Sequence, residues 1–361
     1  MRSPQGVGDL SAFRQLMSAL GNPQEAIPMI HVGGTNGKGS VVYGLDAAID
    51  ASVGRFISPH LFHWRERITI RGNPLPDIQW RHLMNQVMKK AETLNMTLSW
   101  FEALTAIAFL AYAEGAEVGV IEVGMGGLHD PTNVVNPLVT VITSVGEDHL
   151  PQLGPSLSDV ARQKGGIIKP GVPLVLGPSA QHPEILSLAE KQAAPLTCIP
   201  PHGDHRQENI ACVEGALQAI EGFWGVCRDW KGKSPPYRYE QRGKLILDVA
   251  HNPPALRRLM DLLLQEALPS PFHILFACRR GAPVGEMLNL LTPYRPVFHL
   301  FDWRHPLLLS PKEILPHIEG RCCHPPQWEA MQEEGGLITG SCYMMQEVEE
   351  RLGALNAFGR E

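Results

Sequence analysis

Residues 28–40, Pro-Met-Ile-His-Val-Gly-Gly-Thr-Asn-Gly-Lys-Gly-Ser, constrain the fold of this chain more than any other stretch. An apolar segment, 28–32, enters a glycine-rich bend that carries one lysine and one hydroxyl, and a helical pattern opens at Val41. Strand, loop and helix in that order build a phosphate cradle. Glycines let backbone N–H groups converge on an oxyanion, and the helix N-terminus adds its dipole. In such a cradle Lys38 reaches the terminal phosphates of a nucleotide and the Ser40 hydroxyl meets a Mg²⁺ ion. The first spacing is shorter than in the usual nucleotide loop, and Gly39 separates the lysine from the hydroxyl. The competing reading is a glycine-rich turn with an exposed lysine; the strand before and the helix after favour the cradle.

The segments on either side predict an α/β fold. Apolar spacing over 10–20 reads as a helix, stopped by Gly21-Asn22-Pro23. Buried strands of the parallel-sheet type are predicted at 118–123 and 139–143, with a shorter one at 55–57. Each runs into a loop of glycine and polar residues: 58–70, Gly124-Met125-Gly126-Gly127, and Gly146-Glu147-Asp148-His149. In a doubly wound sheet those strand ends lie side by side, at the edge where ligands bind. The loop 58–70, rich in His, Arg and Glu, would on its own read as a solvated surface loop; its place past a strand end makes it a candidate. Glu122 is an acid within an apolar run, where an unpaired carboxylate is costly.

Further elements follow in order. Residues 78–94 read as an amphipathic helix, and Ser99 with Glu102 forms a capping-box pattern before the most apolar run, 103–113. That run is too short to span a bilayer and reads as a buried helix. A helix is predicted over 156–168, a strand at 174–177, a helix at 183–192, a proline- and histidine-containing connection at 193–206, and a helix at 209–223. The charged, proline-rich stretch 229–236 reads as a domain boundary. Beyond it, strands at 244–249, 273–277, 297–301 and 337–340 alternate with helices at 254–266, 284–291, 311–317 and 343–355, a second α/β unit.

A length of 361 residues makes two domains the default, here 1–233 and 234–361. The net charge of −6 argues against an electrostatic nucleic-acid footprint. The N-terminal residues lack the apolar core of a signal peptide. Seven cysteines, all after position 197 and without a Cys-x-x-Cys pair, suggest reduced thiols in a cytoplasm and no zinc site.

Several separated segments together resemble the folylpolyglutamate synthase/dihydrofolate synthase family, a branch of the Mur-ligase superfamily. They are IHVGGTNGKGS (30–40), SPHLFHWRERI (58–68), SWFEAL (99–104), IEVGMGGLHDPTNVV (121–135), 143–149, RQKGGIIKPG (162–171), DVAHNP (248–253) and TGSCY (339–343). They occur in the family's order and span nearly the whole chain, which looks like a shortened member. The Lys-Gly-Ser ending favours the folate branch over the cell-wall branch, where Lys-Thr is usual.

The resemblance implies an N-terminal P-loop ATPase domain with a mostly parallel sheet, a smaller Rossmann-like C-terminal domain, and ATP-dependent amide ligation. A folate carboxylate attacks the γ-phosphate of ATP, and the amine of L-glutamate then displaces phosphate from the acyl phosphate. Gly34, Thr35, Asn36, Gly37, Lys38, Gly39 and Ser40 would bind the triphosphate, with Ser40 on a first Mg²⁺. Glu122 would bridge to the metals, and Ser58 and His149 would serve a second Mg²⁺. A lone histidine such as His149 otherwise reads as a core residue; the motif around it reverses that. Lys164 matches the family lysine that becomes carbamylated, against the alternative of an exposed helix lysine. Asn209 would lie beside the adenine, and Arg238 near the γ-phosphate. Asp248 and His251 would complete the nucleotide site from the second domain on closure. Phe101, with His60 and Arg67 of the 58–67 loop, and Asp130 would meet the folate substrate.

The chain departs from the family pattern at Leu128-His129, where Arg-Leu is usual, at Pro236-Tyr237-Arg238, where Pro-Gly-Arg is usual, and at 279–283, where an Asp-Lys-Asp motif is expected. An alternative is therefore a non-catalytic or altered-specificity homologue that binds nucleotide or folate. An unrelated nucleotide-loop kinase or GTPase is disfavoured by the absence of Asn-Lys-x-Asp and by the distant DVAHNP segment. The expected partners are small molecules, with no nucleic acid or membrane, and the family's members are commonly monomeric.

Overall fold

The computed structural model describes residues 10–148, 150–265 and 272–358. Two compact units divide the chain, 1–234 and 235–361.

In the first unit the chain passes through α1 (Ser11–Ala19), β1 (Met29–Gly33), α2 (Lys38–Ala48), β2 (Ile49–Asp50), β3 (Val53–Phe56), β4 (Ile68–Ile70) and β5 (Asn73–Pro74). It continues through α3 (Asp77–Thr93), α4 (Trp100–Gly115), β6 (Val118–Glu122), β7 (Val139–Ile142), α5 (Leu150–Leu153), α6 (Leu157–Gly165) and β8 (Leu174–Leu176). The last elements are α7 (Pro183–Lys191), β9 (Leu196–Cys198), α8 (His205–Ala219) and β10 (Gly225–Val226), which pairs with β2.

Eight strands form the main sheet in the order β5-β4-β3-β6-β1-β7-β8-β9. β3, β6, β1, β7, β8 and β9 are mutually parallel, so their C-terminal ends share one edge. There Val32 is in register with Glu122, and Gly33 with Ile142. The central strands are buried on both faces, which explains their apolar runs. One face packs Leu104, Ile107 and Phe109 of α4 and Leu83 and Val87 of α3; the other packs Val41, Val42 and Leu45 of α2 and Val213 and Ala216 of α8. α4 is fixed at its start by the predicted capping box, Ser99 accepting from the Glu102 N–H at 3.2 Å and Glu102 from the Ser99 N–H at 2.7 Å.

Three expectations are corrected. The helix after the phosphate loop starts at Lys38, not Val41, because glycines 37 and 39 hide its first turn from any apolar periodicity. The loop 58–70 contains a 3-10 turn, Trp64–Arg67, and then β4, which pairs antiparallel with β3. The connection 193–206 contains β9, an edge strand exposed at all three residues and so without alternation.

The second unit holds β11 (Glu240–Arg242), β12 (Leu245–Leu247), α9 (Pro253–Leu263), β13 (His273–Phe276), α10 (Val284–Leu291), β14 (Val297–His299), α11 (Pro311–Ile314), β15 (Cys322–Cys323), α12 (Trp328–Glu334), β16 (Gly336–Thr339) and α13 (Met345–Phe358). Its sheet runs β11-β12-β16-β13-β14-β15, parallel except for the β11–β12 hairpin. Among the described residues the seven cysteines are thiols, none of them joined in a disulfide. Among the described residues no helix is long and apolar enough to cross a membrane.

Candidate active site

The phosphate loop lies between β1 and α2, and its shape is set by the end of the neighbouring strand β7. The Thr143 hydroxyl donates to the Asn36 carbonyl at 2.6 Å and the Ser144 hydroxyl to the same oxygen at 2.9 Å. The Asn36 N–H donates to Ser144 Oγ at 2.8 Å, and the Thr35 N–H to the Ser144 carbonyl at 2.9 Å. Thr143 and Ser144 open the 143–149 segment, and the signal for their part in the loop is a pair of hydroxyls directly after a buried apolar strand.

Two glycines are required by this arrangement. Gly34 has φ +140°, and a Cβ there would fall 2.0 Å from Thr143 Oγ1. Gly37 has φ +87°, and its Cβ would fall 2.4 Å from the side-chain oxygen of Asn209 on α8. Asn209 thus lies directly against the loop. Beyond Gly37, the N–H groups of Lys38, Gly39 and Ser40 form the first turn of α2, where no preceding helical carbonyl exists to take them.

The Lys38 ammonium folds back over the loop, donating to the carbonyls of Gly34 at 3.1 Å and Thr35 at 3.2 Å. It lies 4.0 Å from Oε1 of Glu122, a residue 4 % exposed at the end of β6. The other oxygen of Glu122 accepts the backbone N–H of Ser58 at 3.0 Å. The structure therefore brings Lys38, Ser40, Glu122 and Ser58 to the same sheet edge. Ser40, Glu122 and Ser58 supply hard oxygen donors of the kind that suits Mg²⁺, beside Lys38 and a loop whose glycines leave no room for a Cβ, and these residues fit that ion. His149 lies outside the described residues, and among the described residues no group of three or more His, Cys, Asp or Glu assembles.

Lys164, in the last turn of α6, is 3 % exposed, which removes the alternative of an exposed lysine. Burial first, and then the charge of Lys38, lower its pKa from 10.5 to about 7, with Asp148 pulling the other way.

The loop after β3 is ordered by Glu66. Its carboxylate accepts the N–H groups of Leu61, Phe62 and His63 at 2.9, 3.0 and 2.7 Å. Trp64 anchors it, its ring centroid 4.3 Å from that of Trp80. His60 and Arg67 are joined, Arg67 Nε donating to His60 Nδ1 at 2.9 Å. Phe101, in the first turn of α4, packs on Phe56 at 5.6 Å and directly over Gly124, where a Cβ would fall 2.5 Å from its ring. Asp130 is 5 % exposed, and its carboxylate accepts from the Met125 N–H at 2.9 Å, the Thr132 N–H at 3.0 Å and the Thr132 hydroxyl at 2.5 Å. It organises the loop that follows β6.

The remaining predicted residues belong to the second unit. Asp248 follows β12 and accepts the N–H groups of Tyr239 and Ala250, each at 2.8 Å. His251 Nδ1 lies 3.1 Å from the Val249 carbonyl. Arg238 is partly exposed, yet its Nε is buried with no hydrogen-bond partner among the described residues. Tyr237 beside it has φ +60°.

Comparison with known proteins identifies the family. Residues 32–173, which hold the phosphate loop, Glu122 and Lys164, match the Mur ligase middle domain family. The dihydrofolate synthase/folylpolyglutamate synthase of Bacillus subtilis is 29% identical over 95% of this chain and 94% of its own. That of Mycobacterium tuberculosis is 30% identical over 80% of this chain and 72% of its own. A bifunctional folylpolyglutamate synthase/dihydrofolate synthase crystallised with Mn, AMPPNP and L-glutamate superposes with a TM-score of 0.85 at 25% identity, covering 98% of this chain and 95% of that one. With the motifs in order along both units and relatives matched over most of their length, the chain belongs to the dihydrofolate synthase/folylpolyglutamate synthase family.

Proposed function

We propose that this protein is an ATP-dependent acid–amino-acid ligase that joins L-glutamate to a folate-type carboxylate, dihydropteroate and/or tetrahydrofolate polyglutamates, releasing ADP and phosphate. The observation that carries the reading is the phosphate loop with Lys38 set 4.0 Å from buried Glu122 on one sheet edge. The family of the chain and the ligands named for its relatives point the same way.

The chemistry has two steps. A carboxylate oxygen of the acid attacks the γ-phosphorus of ATP, and the bond to the bridging oxygen breaks to release ADP. The glutamate amine then attacks the acyl carbon; the C–O bond to phosphate breaks, and the amine loses a proton. In the first step one anion approaches another, so the site must offset charge and hold the reactants in line. Lys38, the N–H groups at the start of α2 and the loop backbone take the phosphates. Ser40, Glu122, Ser58 and His149 would hold Mg²⁺, two ions in this reading, which offsets the phosphate charge when bound.

Lys164 deepens the proposal. With its pKa lowered to about 7, its amine is substantially neutral near physiological pH and can attack CO₂, forming an N–C bond and releasing a proton to water, to become a carbamate. This would convert a buried cation beside Lys38 into an anion suited to a metal-rich site. Asn209 is assigned to the adenine, and Arg238, Asp248 and His251 to the nucleotide. His60, Arg67, Phe101 and Asp130 are assigned to the folate. We further infer a monomer acting in the cytoplasm, without nucleic acid or membrane partners.

The test offers dihydropteroate and tetrahydrofolate separately, each with ATP, Mg²⁺ and glutamate, and measures phosphate release. The expected result is release that needs both acid and glutamate and disappears in Lys38→Ala. Tight ATP binding without ADP formation on any acceptor would overturn it in favour of a non-catalytic nucleotide-binding homologue.

A further inference from the structure

A buried polar chain runs from the phosphate-loop strand to the loop after β6. His31 sits on β1 and is fully buried, while its neighbours Ile30 and Val32 belong to the apolar core that includes α2 and α8. Its Nε2 lies 2.9 Å from Thr132 Oγ1, and the Thr132 hydroxyl donates to Asp130 Oδ1 at 2.5 Å. Having given its only proton to the carboxylate, the hydroxyl must receive from the imidazole, so Nε2 carries the hydrogen. Burial holds His31 down at about 3, so the ring is neutral and Nδ1 is bare; that atom has no hydrogen-bond partner among the described residues. An apolar residue would satisfy the strand at lower cost, since a buried unpaired acceptor is penalised.

The chain ends on the backbone of the 124–127 bend, where Asp130 Oδ2 accepts the Met125 N–H. Phe101 packs on one side of the bend, against Gly124. On the other, a Cβ at Gly127 would meet the carbonyls of Gln163 at 2.8 Å and Lys164 at 3.1 Å, and the Leu128 N–H donates to the Gln163 carbonyl at 2.7 Å. The bend is therefore the spacer between Phe101 and the helix that carries Lys164.

We propose that His31 is a positioning residue for the ligation: through Thr132 and Asp130 it fixes the 124–127 backbone, and with it the placement of Phe101 relative to Lys164 and the phosphate loop. This rests on the ligase reading above. The test compares His31→Phe, Thr132→Val and the conservative Thr132→Ser, by steady-state kinetics and by hydrogen exchange at the Met125 amide. His31→Phe and Thr132→Val are expected to lower kcat/KM for the folate acid by about tenfold or more while KM for ATP stays within about twofold, and Thr132→Ser to recover most of the loss. Met125 is expected to lose protection in the first two variants only. Unchanged kcat/KM for the acid in a folded His31→Phe protein, or equal losses for acid and ATP, would overturn the proposal. Should His31→Phe fail to fold, the Thr132 pair decides on the same criteria. Exchange is read without turnover: a wild-type protein that ligates no acid defeats the ligase reading, whereas retained Met125 protection in Thr132→Val defeats the brace itself.

Discussion

The ammonium of Lys38 and the carboxylate of Glu122 face each other at 4.0 Å across the ends of two adjacent parallel strands, although 84 positions separate them in sequence. Each is tied to its own strand end, Lys38 to the Gly34 and Thr35 carbonyls and Glu122 to the Ser58 N–H. The pair therefore reads as two groups held for something between or beside them rather than as a closed ion pair. Replacing Glu122 by Gln keeps the shape and an acceptor for Ser58 but removes the charge. The expected outcome is a Mg²⁺ requirement raised by at least about tenfold, with ATP turnover reduced in step. Activity titrated against Mg²⁺ checks it, and an unchanged half-saturating concentration would remove Glu122 from the metal site.

Gly37 and Asn209 make a second such contact. Gly37→Ala imposes two costs, a left-handed conformation of roughly 1–2 kcal/mol for a residue with a Cβ and a clash 2.4 Å from the Asn209 oxygen. The expected loss is about 2–3 kcal/mol in urea unfolding, together with weaker nucleotide binding. Adding Asn209→Gly is expected to recover the steric part and leave the backbone part. No recovery in the double variant would show that the clash is relaxed by other means.

Much of this geometry was legible because a parallel sheet writes itself plainly: 118–123 and 139–143 are apolar runs that stop at glycine and polar residues. Glu122 stood out as an acid in such a run. What stayed hidden depends on contacts distant in sequence or on backbone pairing alone. The His31–Thr132 bond closes over 101 residues, and neither residue type announces a partner. The first turn of α2 is dictated by Thr143 and Ser144 holding the loop from outside. β4 sits among charges and turns and is only three residues long, so although Ile68 and Ile70 turn into the core beside α4, the stretch is too short to display an alternation and is fixed by pairing with β3.

Lys164 ties stability to pH. The unfolded chain takes up this proton below about 10.5 and the native state only below about 7. Between those values the unfolded state holds the extra proton, so stability rises with pH through the window, and the full penalty applies below pH 7. Its size for the bare amine is on the order of 4–5 kcal/mol. Lys164→Met should raise the unfolding midpoint near pH 7, with the gap closing toward about pH 10, while ligation is lost. In the wild type, isotopically labelled bicarbonate should give a carbamate carbon resonance that the variant lacks. A variant no more stable than the wild type near pH 7 would contradict the burial of a bare lysine.

Tyr237 occupies the position where the family pattern has glycine, and it accepts the backbone conformation that glycine would, φ +60°. The strain is offset by its surroundings. The ring is 2 % exposed, the hydroxyl donates to Glu349 at 2.5 Å, and the Arg242 guanidinium stands 5.4 Å from the ring centre. Its N–H donates to Glu240 at 3.0 Å and its carbonyl accepts from Val249 at 3.1 Å, which locks the backbone beside Arg238. Reverting to glycine removes roughly 1–2 kcal/mol of strain but forfeits a buried aromatic side chain worth about 3–5 kcal/mol. Packing wins, so Tyr237→Gly should be less stable by about 2–3 kcal/mol, and Tyr237→Phe by about 1–2 kcal/mol for the lost bond to a carboxylate. Denaturant unfolding of the two variants checks both values. A glycine variant as stable as the wild type would mean that the tyrosine is held at a cost the rest of the second unit carries, and Arg238 would then be expected to keep its place without it.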